Sequence, residues 1–259
     1  MKLPIYVLDA FTSEVFRGNP AAVVVSERAL PVDLMQAIAA ENNLAETAFV
    51  VPQGSIFTIR WFTPTVEIDL CGHATLAAAA ALRKFGHTAS DVIDFTCASG
   101  PLTVTRTGDR LALDFPARPA EPREVTPEVI DALGAVPAEL HQAKALMAVF
   151  TSEEEIKTLR PRMDLIAKQP GYGFIVTAPG RSADFVSRFF APQSGIPEDP
   201  VTGSSHCTLI PYWAARLGQT TLAARQLSPR GGELWCEARG ERVTIAGHCA
   251  FYLKGEIVV

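Results

Sequence analysis

The sequence lacks any long hydrophobic run. Its longest apolar stretch, from Leu76 to Leu82, falls far short of the roughly 20 residues that a spanning helix needs, so no membrane partner is expected. It also lacks a basic excess. Lys and Arg total 23 against 28 Asp and Glu, a net charge of -5, and the field that draws nucleic acid or anionic lipid is missing. It has no CxxC pair. The five cysteines are odd in number, which argues against a disulfide scaffold and for reduced thiols in the cytoplasm. Cys71-x-His73 and His206-Cys207 do not have the CxxC or HExxH spacing of zinc sites, so no metal is expected. There is no GxGxxG, P-loop or GxSxG, which leaves a nucleotide cofactor and a serine hydrolase unsupported. The opening Met1-Lys2-Leu3-Pro4-Ile5 has no signal-peptide layout, in keeping with a cytoplasmic protein.

What is present is an ordinary globular balance, 48% hydrophobic and 20% charged over 259 residues, enough for one large domain or two small ones. The chain also repeats itself. Phe57-x-x-Arg60-Trp61-Phe62-Thr63-Pro64 recurs as Phe185-x-x-Arg188-Phe189-Phe190-Ala191-Pro192. Gly100-x-Leu102 followed by Gly108-Asp109-Arg110-Leu111 recurs as Gly232-x-Leu234 followed by Gly240-Glu241-Arg242-Val243. Between them, the stretch from Gly72 to Gly86 matches the one from Gly203 to Gly218. The order is kept, so duplication is expected, with halves 1–117 and 118–259. Pro116, Pro119, Pro122 and Pro127 mark a semi-rigid linker at the boundary.

Each half predicts short strands rich in β-branched and aromatic residues and one special helix. The first, Thr75 to Phe85, contains five consecutive alanines; so narrow a cylinder suits a helix enclosed by a curled sheet. The second runs from Thr208 to Leu217, with Pro211 placed in its first turns. Another helix is predicted from Pro31 to about Glu41, with proline in the first turn.

Both special helices follow a glycine, in Gly72-His73-Ala74-Thr75 and Gly203-Ser204-Ser205-His206. The first N–H groups of a helix are unpaired and the dipole is positive there. Glycine allows close approach, so two such starts suit a carboxylate. Ordinary capping by Thr75 and by Ser204 or Ser205 is the plain alternative. Asp199, just ahead of Gly203, can accept from a substrate ammonium or hydroxyl, or merely cap. Glu46 stands where the polar Asn42-Asn43 segment turns into the apolar strand Thr47–Val51. Partial desolvation there fits a carboxyl group for general acid–base work, although many such residues are solvated strand ends. His73 can exchange a proton or serve structure alone.

The segments Asp9-Ala10-Phe11-Thr12, Gly18-Asn19-Pro20-Ala21-Ala22-Val23, Asn43-Leu44-Ala45-Glu46-Thr47, Arg60-Trp61-Phe62-Thr63-Pro64, Leu70-Cys71-Gly72-His73-Ala74-Thr75 and Asp199-Pro200-Val201-Thr202-Gly203-Ser204 resemble the signature segments of the phenazine-biosynthesis PhzF-like family. They do so in order and over nearly the whole chain. The resemblance implies an α+β, diaminopimelate-epimerase-like fold: two pseudo-symmetric domains, each a β-barrel-like sheet around a central helix, with the active site in the cleft between them. It implies cofactor-free proton transfer within a small carboxylate, and commonly a homodimer. In the characterised phenazine enzyme a glutamate moves a proton within dihydro-hydroxyanthranilate. Glu46 matches that glutamate, and His73 and Asp199 match further catalytic positions. Gly72, Gly203, Ser204 and Asn19 are the implied substrate-binding set. Ser205 stands where the family often has alanine.

Related epimerases use two cysteines, one on each face of the substrate. Here Cys71 has Thr202 as its repeat counterpart, and Cys207 is not its mate, which disfavours a two-thiol racemase. The expected activity is an isomerase working through one carboxyl group. A two-base epimerase, a non-catalytic small-carboxylate-binding protein and an interaction scaffold are the alternatives.

Overall fold

Residues 1–259 are all described by the structure, a computed structural model. The chain divides into two units, Met1–Asp114 with Ala246–Val259, and Phe115–Ile245. The first contains β1 (Lys2–Ala10), β2 (Asn19–Val25), α1 (Val32–Asn42), β3 (Glu46–Gln53), β4 (Ile56–Phe62), β5 (Glu67–Ile68), α2 (Gly72–Lys84), β6 (Val92–Cys97) and β7 (Gly100–Thr107), with β8 (Arg110–Pro116) running up to its boundary. The second contains β9 (Glu121–Arg123), α3 (Pro127–Leu133), β10 (Glu139–Gln142), β11 (Leu146–Val149), α4 (Glu153–Thr158), α5 (Met163–Ile166), β12 (Phe174–Pro179), β13 (Phe185–Phe190), α6 (Gly203–Leu217), β14 (Thr221–Gln226), β15 (Gly232–Arg239) and β16 (Arg242–Gly247). The last strand, β17 (Cys249–Val258), returns to the first unit.

The two units run through the same series of strand pairings. In the first, β1–β2 is antiparallel, β2–β3 parallel, β3–β4 antiparallel, β4–β6 parallel and β6–β7 antiparallel. In the second, β10–β11, β11–β12, β12–β13, β13–β14 and β14–β15 alternate in the same way. Each special helix lies in the connection before the second parallel pair, where a crossover is required. One segment departs from the division read in the sequence. The repeat puts residues 246–259 with the second half, but β17 pairs along the whole of β1, from Lys2↔Val258 to Ala10↔Cys249. β1 pairs with β2 on its other side, and β17 satisfies the backbone groups of the edge that β2 leaves open.

In the first unit α2 touches β17, β1, β2, β3 and β7. These strands come from both ends of the pairing order, so the sheet curves around the helix. The alanines make that possible: Ala74, Ala77, Ala78, Ala79 and Ala81 are all fully buried. The other face of the sheet is covered by α1, whose Met35, Ile38 and Ala39 pack with Leu3, Ile5, Val24 and Phe49. Burying side chains of this size contributes about 1.5–3 kcal/mol each.

In the second unit α6 meets β14 and β15, and its Trp213 stacks on Phe185 at 5.7 Å and donates Nε1–H to Thr177 Oγ1 at 2.9 Å. Here α3, α4 and α5 supply the outer core, with Leu133, Ile156 and Ile166 against Phe174, Val176 and Phe190. Both special helices begin earlier than the sequence suggested, at Gly72 and Gly203. Pro211 therefore sits in the interior of α6. It cannot bond the Cys207 carbonyl, and that carbonyl instead accepts from Arg118 N–H at 2.8 Å. The proline-rich linker holds more structure than expected. It contains β9, and Pro127 occupies the first turn of α3 behind Thr126.

Candidate active site

The first unit gathers its chemistry at the starts of three elements. Asn19 opens β2 and Glu46 opens β3, and the two strands run parallel in the register Ala21↔Glu46. Parallel neighbours present their N-terminal ends side by side. The start of α2 supplies Cys71, as the residue before the helix, and His73 within its first turn. His73 is the meeting point. Its Nε2 lies 2.9 Å from Glu46 Oε2. Its Nδ1 lies 3.3 Å from Asn19 Nδ2 and 3.5 Å from Cys71 Sγ.

All four side chains are buried, Asn19 completely and Glu46 to 8% exposure. The Glu46–His73 contact is close but not aligned as a hydrogen bond, since neither Oε2 nor Nε2 has a well-directed partner. Catalytic contacts often align only when substrate is bound. Oε2 is the fully covered oxygen of Glu46, which leaves Oε1 as the oxygen open to a ligand.

Burial works against charge on His73. The negative charges of Cys71 and Glu46 work for it, and with both ionised the direction is upward. Burial and the charge of Glu46 push the Cys71 thiol itself up. At neutral pH it is therefore an uncharged thiol, and the carboxylate is the charge that remains beside the ring. Glu46, Cys71 and His73 also bring three possible metal donors within 4.8 Å of one another. The carboxylate contacts Nε2, however, and the thiol contacts Nδ1. That arrangement suits proton relay through the ring better than capture of one ion by one nitrogen.

The helix starts are not closed by side-chain caps. Cys71 and Thr202 precede the two helices without capping them. The residues offered as ordinary caps point the other way: Thr75 Oγ1 donates to Cys71 O at 2.5 Å, and Ser205 Oγ to Thr202 O at 2.8 Å. In the second unit the segment ahead of α6 is clamped by Gln226. Its Oε1 accepts from Thr202 N at 2.8 Å, and its Nε2 donates to Asp199 O at 2.8 Å and to Thr202 Oγ1 at 3.1 Å. Asp199 Oδ2 accepts from Thr202 Oγ1 at 2.5 Å.

Ser204 shares a 3.0 Å hydrogen bond with Tyr172, a residue the sequence reading did not select. Its signal was the glycine on either side. Gly171 has φ of 93°, and a Cβ on Gly173 would fall 2.2 Å from the Phe189 ring, so neither position admits a side chain. Burial raises the Tyr172 hydroxyl, so it stays protonated. A surface depression of about 740 Å³ in the second unit, lined among others by Arg123, Thr126, Leu140 and Lys168, contains none of the candidate residues.

Comparison with known proteins decides the family. The PhzC-PhzF family, described as phenazine biosynthesis-like protein, matches residues 8–255. The chain belongs to this family. An uncharacterized isomerase of Pseudomonas aeruginosa is 51% identical over 99% of both chains. A crystal structure of a phenazine biosynthesis protein of the PhzF family from Enterococcus faecalis superposes with a TM-score of 0.98, at 49% identity and over 100% of both chains. A hydroxyproline epimerase from Agrobacterium vitis shares the fold alone, with a TM-score of 0.65 at 9% identity over 99% of this chain and 92% of that one. The fold is thus the diaminopimelate-epimerase-like one that the PhzF-like segments implied. No helix is long and apolar enough to cross a membrane.

Proposed function

We propose that this PhzF-family protein is a cofactor-independent isomerase that moves a proton within a small carboxylate substrate, with Glu46 as the acid–base group. The reading is carried by the buried Glu46–His73 pair, 2.9 Å apart at the start of α2. Glu46 Oε1 takes a proton from an acidic C–H of the substrate and returns it to a second carbon on the same face. His73 holds Oε2 and steadies the negative charge before transfer. The uncapped amides of Gly72 and His73 receive the carboxylate, and negative charge building up in it during carbanion formation is stabilised there by fixed dipoles. From the family motif Asp199 takes a further catalytic position, orienting a substrate amine or hydroxyl, and Gly203 and Ser204 bind substrate; Tyr172 and Gln226 hold this segment in place. A homodimer in the cytoplasm belongs to the same proposal.

The test is proton exchange in D2O with a panel of small unsaturated and amino carboxylates, dihydro-hydroxyanthranilate included, followed by NMR for wild type and Glu46→Gln side by side. Removing a positioned acid–base group costs about 10²–10⁴ in rate, so exchange should all but vanish in the variant. Full exchange in Glu46→Gln would rule out the role. The Cys71 thiol, 3.5 Å from His73, favours a two-base epimerase as second reading. That enzyme would interconvert mirror-image substrates and lose this on Cys71→Ser.

A further inference from the structure

Asn19 and Cys71 converge on one atom. A neutral imidazole has one protonated and one bare nitrogen, and which is which depends on its neighbours. The Asn19 amide N–H points at His73 Nδ1 from 3.3 Å, and the Cys71 sulfur stands 3.5 Å from the same nitrogen. Cys71 is a thiol at neutral pH, so both neighbours can donate to a bare Nδ1. A proton on Nδ1 would face the Asn19 donor head-on and find only the thiol sulfur, a weak acceptor. On the far edge of the ring Nε2 faces only the Glu46 carboxylate oxygen, at 2.9 Å, and an acceptor there favours a proton on Nε2. The upward push on His73 comes first from an ionised Cys71, and the uncharged thiol does not supply it; His73 is also the second residue of α2, where the positive end of the helix disfavours an imidazolium. Asn19 is fully covered and Cys71 is 5% exposed, so neither competes for water.

We infer that Asn19 and Cys71 are positioning residues that hold His73 as the neutral Nε2–H tautomer and so direct its proton at Glu46 Oε2. This rests on the acid–base reading of Glu46 and deepens it. With Oε2 facing Nε2–H at 2.9 Å, a contact that substrate binding would align into a hydrogen bond, Oε1 is the oxygen left to take the substrate proton. The opposite tautomer would turn a bare Nε2 lone pair toward the carboxylate and repel it. Asn19, placed among substrate-binding residues by the family segment, thereby acts through His73 without touching substrate.

The experiment is long-range ¹H–¹⁵N correlation NMR of the imidazole rings in ¹⁵N-labelled protein between pH 6 and 8. The five histidines allow His73 to be assigned by its loss in His73→Gln. In wild type, Nδ1 should be bare and Nε2 protonated. A proton on Nδ1, whether in the other neutral tautomer or in an imidazolium, overturns the inference without any activity measurement. Asn19→Asp replaces the donor with an acceptor and should draw a proton onto Nδ1, with exchange in D2O falling about 10²-fold or more. An Asn19→Asp ring that keeps a bare Nδ1 would refute the role of Asn19. If that variant does not fold, the wild-type spectrum decides alone. A wild-type Nε2–H ring in a protein that exchanges no substrate proton would sink the proposed activity while leaving the tautomer standing.

Discussion

Arg188→Ala and Arg60→Ala form a matched pair of perturbations that differ mainly in burial. The two arginines occupy the same place in the repeat. Arg188 holds Glu198 through Nε at 2.7 Å and Nη2 at 2.9 Å, and Arg60 holds Glu67 through the same two nitrogens at 2.7 Å each. Each guanidinium lies over the phenylalanine two residues on, at 4.9 Å for Phe190 and 5.3 Å for Phe62. Their surroundings are unlike. The Arg188 and Glu198 side chains are 11% and 16% exposed, those of Arg60 and Glu67 34% and 37%. Arg188 Nη1 also donates to the carbonyls of Ile156 and Leu159, at 3.0 Å each.

Truncating Arg188 therefore leaves a largely buried carboxylate without its cation and two carbonyls without their donor, a loss of about 3–5 kcal/mol. Truncating Arg60 exposes a pair that water already screens, for about 1 kcal/mol or less. In urea, with a slope of roughly 1–3 kcal/mol/M, the Arg188 variant should unfold at least about 1 M earlier and the Arg60 variant within about 0.5–1 M of wild type. Because the unpaired charge is the cause, Arg188→Met combined with Glu198→Leu should recover most of the loss. Equal destabilisation at the two sites, or no recovery in the double variant, would refute the burial argument.

Other outcomes can be checked on the same material. His206 is fully buried with Nδ1 2.8 Å from Thr202 O, and burial lowers its pKa to about 4. Between about pH 6.5 and 4 the unfolded chain therefore binds a proton that the folded chain refuses, and stability present above pH 6.5 is lost as pH falls. The ceiling is about 3 kcal/mol; a pH series of urea midpoints should show the slope, and His206→Gln should flatten it. Burial holds Cys207 near 11 and Cys249 near 12 and raises Cys71 and Cys236 as well. A chromogenic disulfide reagent at pH 7.5 should therefore react slowly with the native protein and count five thiols after unfolding. Fast reaction at native Cys71 would mean a thiolate there and would contradict its role as a donor to His73. Gly173→Ala forces a methyl group into the Phe189 ring and should cost about 1–3 kcal/mol in the same titration.

Much of the molecule was legible because its signals are local. The repeat of Phe57–Pro64 in Phe185–Pro192 anticipated β4 and β13, and the alanine run anticipated a helix with no room around it. The helices α3, α4 and α5 leave little trace in the sequence because they are short and follow proline- or loop-like stretches, although Thr126-Pro127 is a readable helix start. Glu46 and His73 could be picked from their motifs, but nothing in the spacing of residues 46 and 73 says that their side chains meet.

By itself the sequence determined the strand and helix periods, the two glycine-led helix starts and the membership of Glu46 and His73 in a family pattern. Those features depend on neighbours within a turn or a strand. Tertiary structure alone decided that Asn19 and Cys71 share one nitrogen of His73, that Tyr172 reaches Ser204 and that Arg118 satisfies the carbonyl freed by Pro211. It also decided that β17 closes on β1. These partners, Cys71 and His73 excepted, lie dozens to hundreds of residues apart. Their pairing follows from strand order and the burial it imposes, because a buried polar group takes whichever partner the fold brings within reach.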